Sequence, residues 1–435
     1  MATWPLKRID ELCEITSSKR IFAADYVSEG VPFYRGREIT EKYKGNLDVS
    51  TELFITEEKF LEIKRKFGAP KQGDLLLTSV GTLGSVYVIK PGDRFYFKDG
   101  NLTWFRHFNG LDSQFLYYWI GSPQGKAQLQ KCTIGSSQSA FTIVLLKSME
   151  IELPPLPVQK RIAGILSAYD ELIENSQRRI RIQEAMARAL YREWFIHFRF
   201  PGYEKLPHVA SPFGDIPQGW EVKPLESLLT DHIGGGWGKE VADEDHSEPA
   251  WVIRGTDIPD IRNSQVAGVP HRFHTASNLR SRKLAAGDIL FEVSGGSKSQ
   301  PVGRTLLATP ELMSAFDGDV ICASFCKRIR PDADGYGSEL LYLSFVEGYE
   351  SGEIEQFQVQ STGISNFKWT EYITRTERVV PTAALRSLFR ELVAPLFTQI
   401  AMLGLQIHNL RRTRDLLLPR LLSGQMELTR LHEGN

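Results

Sequence analysis

The feature that most restricts this chain is a pair of mostly apolar stripes written with the same spacing in two distant places. The first runs Ile162, Ile165, Tyr169, Ile173, Ser176, Ile180, Gln183, Ala187, Leu190, Trp194. The second runs Phe389, Leu392, Leu396, Ile400, Leu403, Ile407, Leu410, Arg414, Leu417, Leu421. Each member of the second stands 227 residues after its counterpart, and the same offset carries Pro154 onto Pro381. Alternating steps of three and four are the seam of a coiled coil, and the one four-four step at Tyr169 reads as a local shift in phase. Each stripe predicts a helix of about 40 residues, roughly 60 Å long. A single helix of that length with one apolar stripe needs a partner, and each copy supplies one for the other. The plainer alternative is two separate helical hairpins, each packed on its own domain. Pro395 and Pro419 predict a kink or an early end in the second helix.

Upstream of each helix the sequence repeats more loosely. Trp4-Pro5-Leu6-Lys7-Arg8-Ile9-Asp10-Glu11-Leu12 is matched by Trp220-Glu221-Val222-Lys223-Pro224-Leu225-Glu226-Ser227-Leu228. A short strand ending in Arg-Gly follows in each half, at Phe33-Tyr34-Arg35-Gly36 and Val252-Ile253-Arg254-Gly255. Gly-Asp before an apolar run recurs as Gly73-Asp74-Leu75-Leu76-Leu77 and Gly287-Asp288-Ile289-Leu290-Phe291, each leading into a Ser/Thr/Gly loop. A second polar loop precedes each helix, at residues 135–139 and 361–366. The predicted architecture is α+β and tandem. Residues 1–153 form a first domain, 154–200 a central long helix, 201–380 a second domain and 381–435 a C-terminal long helix. In the first of the two readings the long helices pair with each other as a coiled coil. The scaffold repeats while the loops differ, which suits two domains doing one kind of job on different targets.

Composition narrows the class. The apolar fraction is that of a globular chain, and no run approaches the roughly 20 apolar residues of a membrane span. The N-terminus shows no apolar leader, so a cytoplasmic protein with no membrane partner is expected. A net charge of -1 argues against a protein that coats DNA, but a sequence reader depends on where its Lys and Arg sit. Of the four cysteines only Cys322 and Cys326 are close, in an apolar run that predicts a buried strand and not a zinc site.

Leu153-Pro154-Pro155-Leu156-Pro157-Val158-Gln159-Lys160-Arg161-Ile162 resembles the central spacer region of the specificity (S) subunits of Type I restriction-modification systems. So do the end of that helix, Leu190 to Glu204, and the C-terminal run Leu416 to Met426. The order domain, helix, domain, helix matches over nearly the whole chain. One departure lies before the second helix, where Val379-Val380-Pro381-Thr382-Ala383 lacks the double proline and Arg386 stands in the place of Gln159. The resemblance implies a non-catalytic, double-stranded-DNA-binding subunit with two α+β target-recognition domains held apart by an antiparallel coiled coil of the two long helices, an internal pseudo-twofold repeat. Each domain would read one half of a bipartite, asymmetric site at a spacing set by the helices. It also implies two methyltransferase (M) subunits on the helices and restriction/translocase (R) subunits beyond them. No cofactor is expected on this chain; S-adenosylmethionine, ATP and Mg would belong to the partners. A different class remains, a stand-alone bipartite DNA-binding regulator or scaffold without methyltransferase partners.

Base reading needs Arg, Lys, Asn, Gln, Ser or Thr on loops that reach a groove. In the first domain the candidates are Arg35, Arg37, Ser79, Thr82, Ser136, Ser137 and Gln138, with Lys64, Arg65 and Lys66 as phosphate contacts. In the second they are Arg254, Lys298, Ser299, Gln300, Thr362, Ser365 and Asn366, with Arg280, Arg282 and Lys283 toward phosphate. Arg35 and Arg254 occupy equivalent places, so bracing the fold or holding phosphate, rather than reading bases, is the competing reading of both. Arg178, Arg179, Arg181, Arg411, Arg412 and Arg414 read as a solvated helix face or as contacts to a partner or to spacer phosphates. Trp194, Phe195 and Phe198 read mainly as core, with a methyltransferase interface as the lesser reading.

Catalytic motifs are poor. The one Pro-Pro, Pro154-Pro155, lacks the flanking residues of an amino-methyltransferase motif. Asp48 with Glu62 and Lys64 is a weak metal-nuclease pattern. Gly234-Gly235-Gly236-Trp237-Gly238-Lys239 lacks the spacing of a phosphate loop, and His271 with His274 has no further ligands nearby.

Overall fold

Strands Leu75–Thr78 and Ile289–Glu292 are buried along their whole length, and each is the centre on which one half of the chain is built. The computed structural model describes residues 4–46, 49–135, 139–295, 300–332, 335–361 and 363–426. It divides into two compact units, residues 1–174 with 411–435, and residues 175–410, so each unit holds one end of each long helix.

In the first unit, Leu75–Thr78 lies between Leu102–Arg106 and Val86–Val88, with Glu14–Thr16 outside Leu102–Arg106, all antiparallel. In the second unit, Ile289–Glu292 lies between Cys326–Pro331 and Thr305–Leu307, with Leu229–Gly234 outside, again antiparallel. A second sheet repeats as well. Val31–Tyr34 pairs in parallel with Tyr96–Phe97 and antiparallel with Phe54–Ile55. Glu248–Ile253 pairs in parallel with Asp319–Cys322 and antiparallel with His271–His274. A short closing pair joins the start and end of each domain, Leu6–Arg8 with Glu150–Glu152 and Glu221–Pro224 with Glu377–Val380. The loose sequence repeat is thus a repeat of strand order and direction, and the fold is α+β in tandem.

The repeated Gly-Asp has a structural cause. Asp74 is buried and accepts the amide of Lys71 at 3.1 Å and the Trp104 indole N–H at 2.9 Å. Asp288 accepts the amide of Ala285 at 2.8 Å and both arms of Arg330 at 2.8 Å. In each unit a buried carboxylate ties the turn before the central strand to the neighbouring strand, satisfying groups that would otherwise be buried unpaired.

The central helix spans Leu156–Tyr191 and ends in a wider-wound turn, Arg192–Ile196; the C-terminal helix spans Ala383–Leu422. Neither Pro395 nor Pro419 ends the second helix, and Gly424 takes the left-handed conformation just beyond it. In the first unit Ile162, Ala163 and Leu166, near the start of the central helix, share a core with Leu417, Leu418, Leu421 and Leu422 at the end of the other. In the second, Trp194 and Phe195 at the end of the central helix lie 5.5 and 4.7 Å from Phe389 at the start of the other. The helices therefore run antiparallel within each unit.

The seam differs from the expected stripe at one symmetric place. Leu166 and Val393, also 227 residues apart, are both 0% exposed, whereas Leu392 is 46% exposed and Ile165 only half-buried. With Leu166 and Val393 in the seam the steps alternate four and three throughout, and the four-four step disappears. The expectation that no segment could span a membrane is also corrected. Among the described residues the C-terminal helix is long and apolar enough to do so, with a mean hydropathy of 1.4 over 18 residues. Its apolar residues are interrupted by Thr398, Gln399 and Gln406, so a search for consecutive apolar residues passes over it. Its Phe389, Val393, Leu403 and Ile407 are seam residues buried within the protein.

Candidate nucleic-acid interface

In the first unit the central strand runs into the loop Ser79–Ser85, which folds back on itself. The Ser85 amide donates to Thr78 Oγ1 at 2.8 Å and the Gly84 amide to the Thr78 carbonyl at 3.0 Å. Three other segments converge on this loop. The Phe141 amide donates to the Ser79 carbonyl at 3.0 Å, and Val80 bridges Ala140, which brings in the Thr133–Phe141 hairpin. The Ser79 amide donates to the Asn101 carbonyl at 2.8 Å. The Lys98 amide donates to the Tyr34 carbonyl at 2.9 Å, beside the Arg35-Gly36 turn, and a Cβ on Gly36 would lie 3.9 Å from the Val80 carbonyl oxygen.

The second unit repeats these links with other side chains. The Phe367 amide donates to the Val293 carbonyl at 2.8 Å, and Ser294–Gly295 pairs with Ser365–Asn366. The Val293 amide donates to the Phe325 carbonyl at 2.9 Å, and the Ala323 amide to the Ile253 carbonyl at 2.8 Å. The Arg254-Gly255 turn closes the set. A Cβ on Gly255 would collide with the buried side chain of Glu292, so a larger residue at the turn would displace the carboxylate at the end of the central strand.

Arg35 and Arg254 are placed alike. Each caps a short helix whose third residue is an acid that accepts the arginine's own amide, Glu38 at 2.7 Å and Asp257 at 2.9 Å. Each guanidinium also pairs with that acid, loosely at Arg35 (3.4 Å) and closely at Arg254 (2.6 Å). Burial pushes the Glu38 carboxyl up, but hydrogen bonds from the Arg35 amide and the Arg37 guanidinium outweigh it and hold it below the usual range. The equivalent arginines thus brace the turn and keep part of the guanidinium at the surface. Arg37 is exposed and ties Glu38 to the Ser50 carbonyl.

Of the remaining candidates, Thr82 and Asn366 are exposed within the converging loops, and Gln300 is exposed beside them in sequence. Ser79 and Ser365 are buried, and the Ser79 hydroxyl bonds Thr103 at 2.7 Å, so neither side chain reaches solvent. Their residue type suited the interface, but Ser79, just past the central strand, turns its hydroxyl inward, and Ser365 takes an inward-facing position of its strand. Lys64, Arg65 and Lys66 are exposed on the last turn of helix Glu57–Phe67, with Lys66 paired to Glu62 at 2.7 Å. Arg280 is exposed, Arg282 donates to the Gly234 carbonyl at 3.0 Å, and Lys283 pairs with Asp319 at 2.5 Å. Ser136, Ser137, Gln138, Lys298, Ser299 and Thr362 lie outside the described residues, as does Asp48. Composition missed the turns that contribute Lys98–Asn101 and Ser324-Phe325, although Asp99-Gly100 is a turn signature.

Other motifs are absorbed by structure. A Cβ on Gly235 would meet the Cys322 carbonyl oxygen at 2.1 Å, so the glycine run packs backbone on backbone. Cys322 and Cys326 are fully buried free thiols, and burial pushes Cys322 up to about 12. His274 is buried while His271 meets Trp251 edge to face at 5.0 Å. Among the described residues no group of three His, Cys, Asp or Glu could hold a metal ion. Arg414 pairs with Asp170 at 2.5 Å, and Asp170 also accepts the Tyr118 hydroxyl at 2.5 Å, so this helix arginine is structural. Trp194 and Phe195 are core, with Phe198 packed against them.

A scaffold is repeated in tandem, with matching loop clusters that carry different side chains. Residues 1–184 match the Type I restriction modification DNA specificity domain. The Type I restriction enzyme MjaIX specificity subunit of Methanocaldococcus jannaschii is 26% identical over 98% of this chain and 94% of its own length. A putative type I restriction enzyme specificity subunit of Haemophilus influenzae is 30% identical over 41% of this chain and 44% of its own. The crystal structure of a Type-I restriction-modification system S subunit from M. genitalium covers 96% of both chains with a TM-score of 0.53 at 14% identity, a likeness of fold. Over nearly its whole length the chain is thus similar to Type I restriction-modification specificity subunits, a family that is non-catalytic in general.

Proposed function

We propose that this chain reads a split DNA site, one half with each loop cluster, for a methyltransferase and restriction complex. The observation that carries the reading is the fourfold set of equivalent backbone links in the two units. Both hold the same three loops and Arg-Gly turn together, yet present different side chains, as expected of one scaffold that reads two sequences. In this reading Arg35, Arg37 and Arg254 meet phosphate or base at the turn, and Thr82, Gln300 and Asn366 meet base edges. Lys64, Arg65, Lys66, Arg280, Arg282 and Lys283 supply phosphate contacts. Ser136, Ser137, Gln138, Lys298, Ser299 and Thr362 keep the reading role their loops imply.

The helices act as the spacer. At 1.5 Å per residue they measure about 54 and 60 Å, compatible with half-sites about one helical turn apart once the domains' own width is counted. Two methyltransferase subunits bind along them, with restriction/translocase subunits joining the assembly. In the second unit Ile182, Met186, Leu388, Leu392 and Met402 are exposed apolar residues on the helices, which supports a protein partner there. S-adenosylmethionine, ATP and Mg act on the partners, and the complex works in the cytoplasm. Co-expression with a methyltransferase subunit tests this. A stable complex that methylates a split site is expected; site-specific binding by the chain alone, without association, would favour a free-standing regulator.

A further inference from the structure

Two hydrogen bonds in different units single out one position of the repeat. The Ser79 amide donates to the Asn101 carbonyl, and the Val293 amide donates to the Phe325 carbonyl, at 2.8 and 2.9 Å. Each acceptor directly precedes a strand of the main sheet, Leu102–Arg106 or Cys326–Pro331. The position is therefore held by its backbone and lies in the loop cluster, and its side chain can change without disturbing the scaffold. Its side chains differ sharply. The Asn101 amide makes no side-chain hydrogen bond among the described residues and is half-buried. Phe325 is 58% exposed, and its ring meets no other aromatic ring or cation among those residues. Beside it the Ser294 hydroxyl donates to Asn366 Oδ1 at 2.7 Å, and among these polar groups Phe325 is the apolar point of the surface.

We propose that Asn101 and Phe325 are specificity-determining residues, one in each half of the site; the assignment rests on the DNA-reading function above. An asparagine amide offers a donor and an acceptor side by side, the complement of adenine N7 and N6. A phenylalanine can make neither bond, and in the major groove its apolar counterpart is the thymine 5-methyl group. Asn101 accordingly reads an adenine in the first half-site, and Phe325 packs on a thymine methyl in the second.

The test uses the full chain assembled with its methyltransferase subunits and duplexes bearing the motif that the complex methylates. Thymines are replaced one at a time by uracil, which removes only the methyl, and adenines by 7-deazaadenine, which removes the N7 acceptor. One uracil in the second half-site should weaken wild-type binding about four-fold, the worth of a single methyl, and leave Phe325→Ala binding unchanged. One deazaadenine in the first half-site should weaken the wild type about ten-fold and leave Asn101→Ala unchanged. Phe325→Leu, which keeps an apolar contact, should retain the uracil effect, and unchanged melting temperatures establish that the variants fold. Variants with the full wild-type sensitivity at every position would overturn the proposal while the reading of a split site stood. A wild-type complex with no split site would overturn both.

Discussion

Arg386 donates from its guanidinium to the carbonyl oxygen of Pro381 at 2.8 Å, the link that Gln159 makes to Pro154, also at 2.8 Å, 227 residues earlier. The one local departure from the family pattern thus preserves its function: a long side chain one turn into the helix satisfies the carbonyl of the proline before it. Gln159 does more, since it also donates to the Gly110 carbonyl at 2.9 Å and accepts the Asp112 amide at 2.8 Å.

Gln159→Leu leaves buried backbone groups unpaired and should cost about 2–4 kcal/mol. Arg386→Gln should cost under about 1 kcal/mol, because glutamine can reach the same carbonyl. Urea denaturation of the two variants checks the ranking, and equal losses would contradict it.

The seam makes a second ranking. Leu166→Ala should destabilise by about 2–5 kcal/mol, as for a fully buried leucine, whereas Leu392→Ala should cost less than about 1 kcal/mol. Thermal melts of the isolated chain read both. A larger loss at Leu392 would restore the four-four step.

Glu38 gives a pH dependence of known sign. Burial pushes its carboxyl up, but its hydrogen bonds from Arg35 and Arg37 leave it below the unfolded value. Its stabilising contribution is therefore present above about pH 4.3 and is lost as pH falls through the lower folded value. Glu38→Gln should be less stable than wild type at pH 7, and the gap should narrow as the pH is lowered below about 4. A gap that stays constant from pH 7 to pH 3 would remove the account of the Arg-Gly turn.

Lengthening the helices tests the spacer. One heptad inserted in each helix at facing positions keeps the seam in phase and adds about 10 Å, about three base pairs at 3.4 Å each. The methylated motif should keep both half-sites and gain about three unread positions. An unchanged spacer would show that the helices do not set it.

Much of this was legible in the sequence, and the failures are instructive. The helices were readable because three-four spacing persists over 40 residues. The exact seam was not, since Ile165-Leu166 and Leu392-Val393 are adjacent apolar pairs between which periodicity alone does not choose. The loops announced themselves by serine, threonine and glycine, but Ser79, one residue past its strand, and Ser365, within one, both face inward. Asn101 and Phe325 reach the cluster through pairing with strands far away in sequence, which composition cannot report. The buried roles of Glu38 and Asp257 follow from capping geometry that becomes visible only when the arginine ahead of each is placed.

The most direct test of two independent readers on one chain is methylome sequencing of a host carrying the complete system. It is run with this chain and with a chimera whose residues 1–153 come from a relative of different specificity. The account predicts a split motif in which the chimera changes one half and keeps the other half and the spacer. A motif altered in both halves at once, or one with no split, would contradict it.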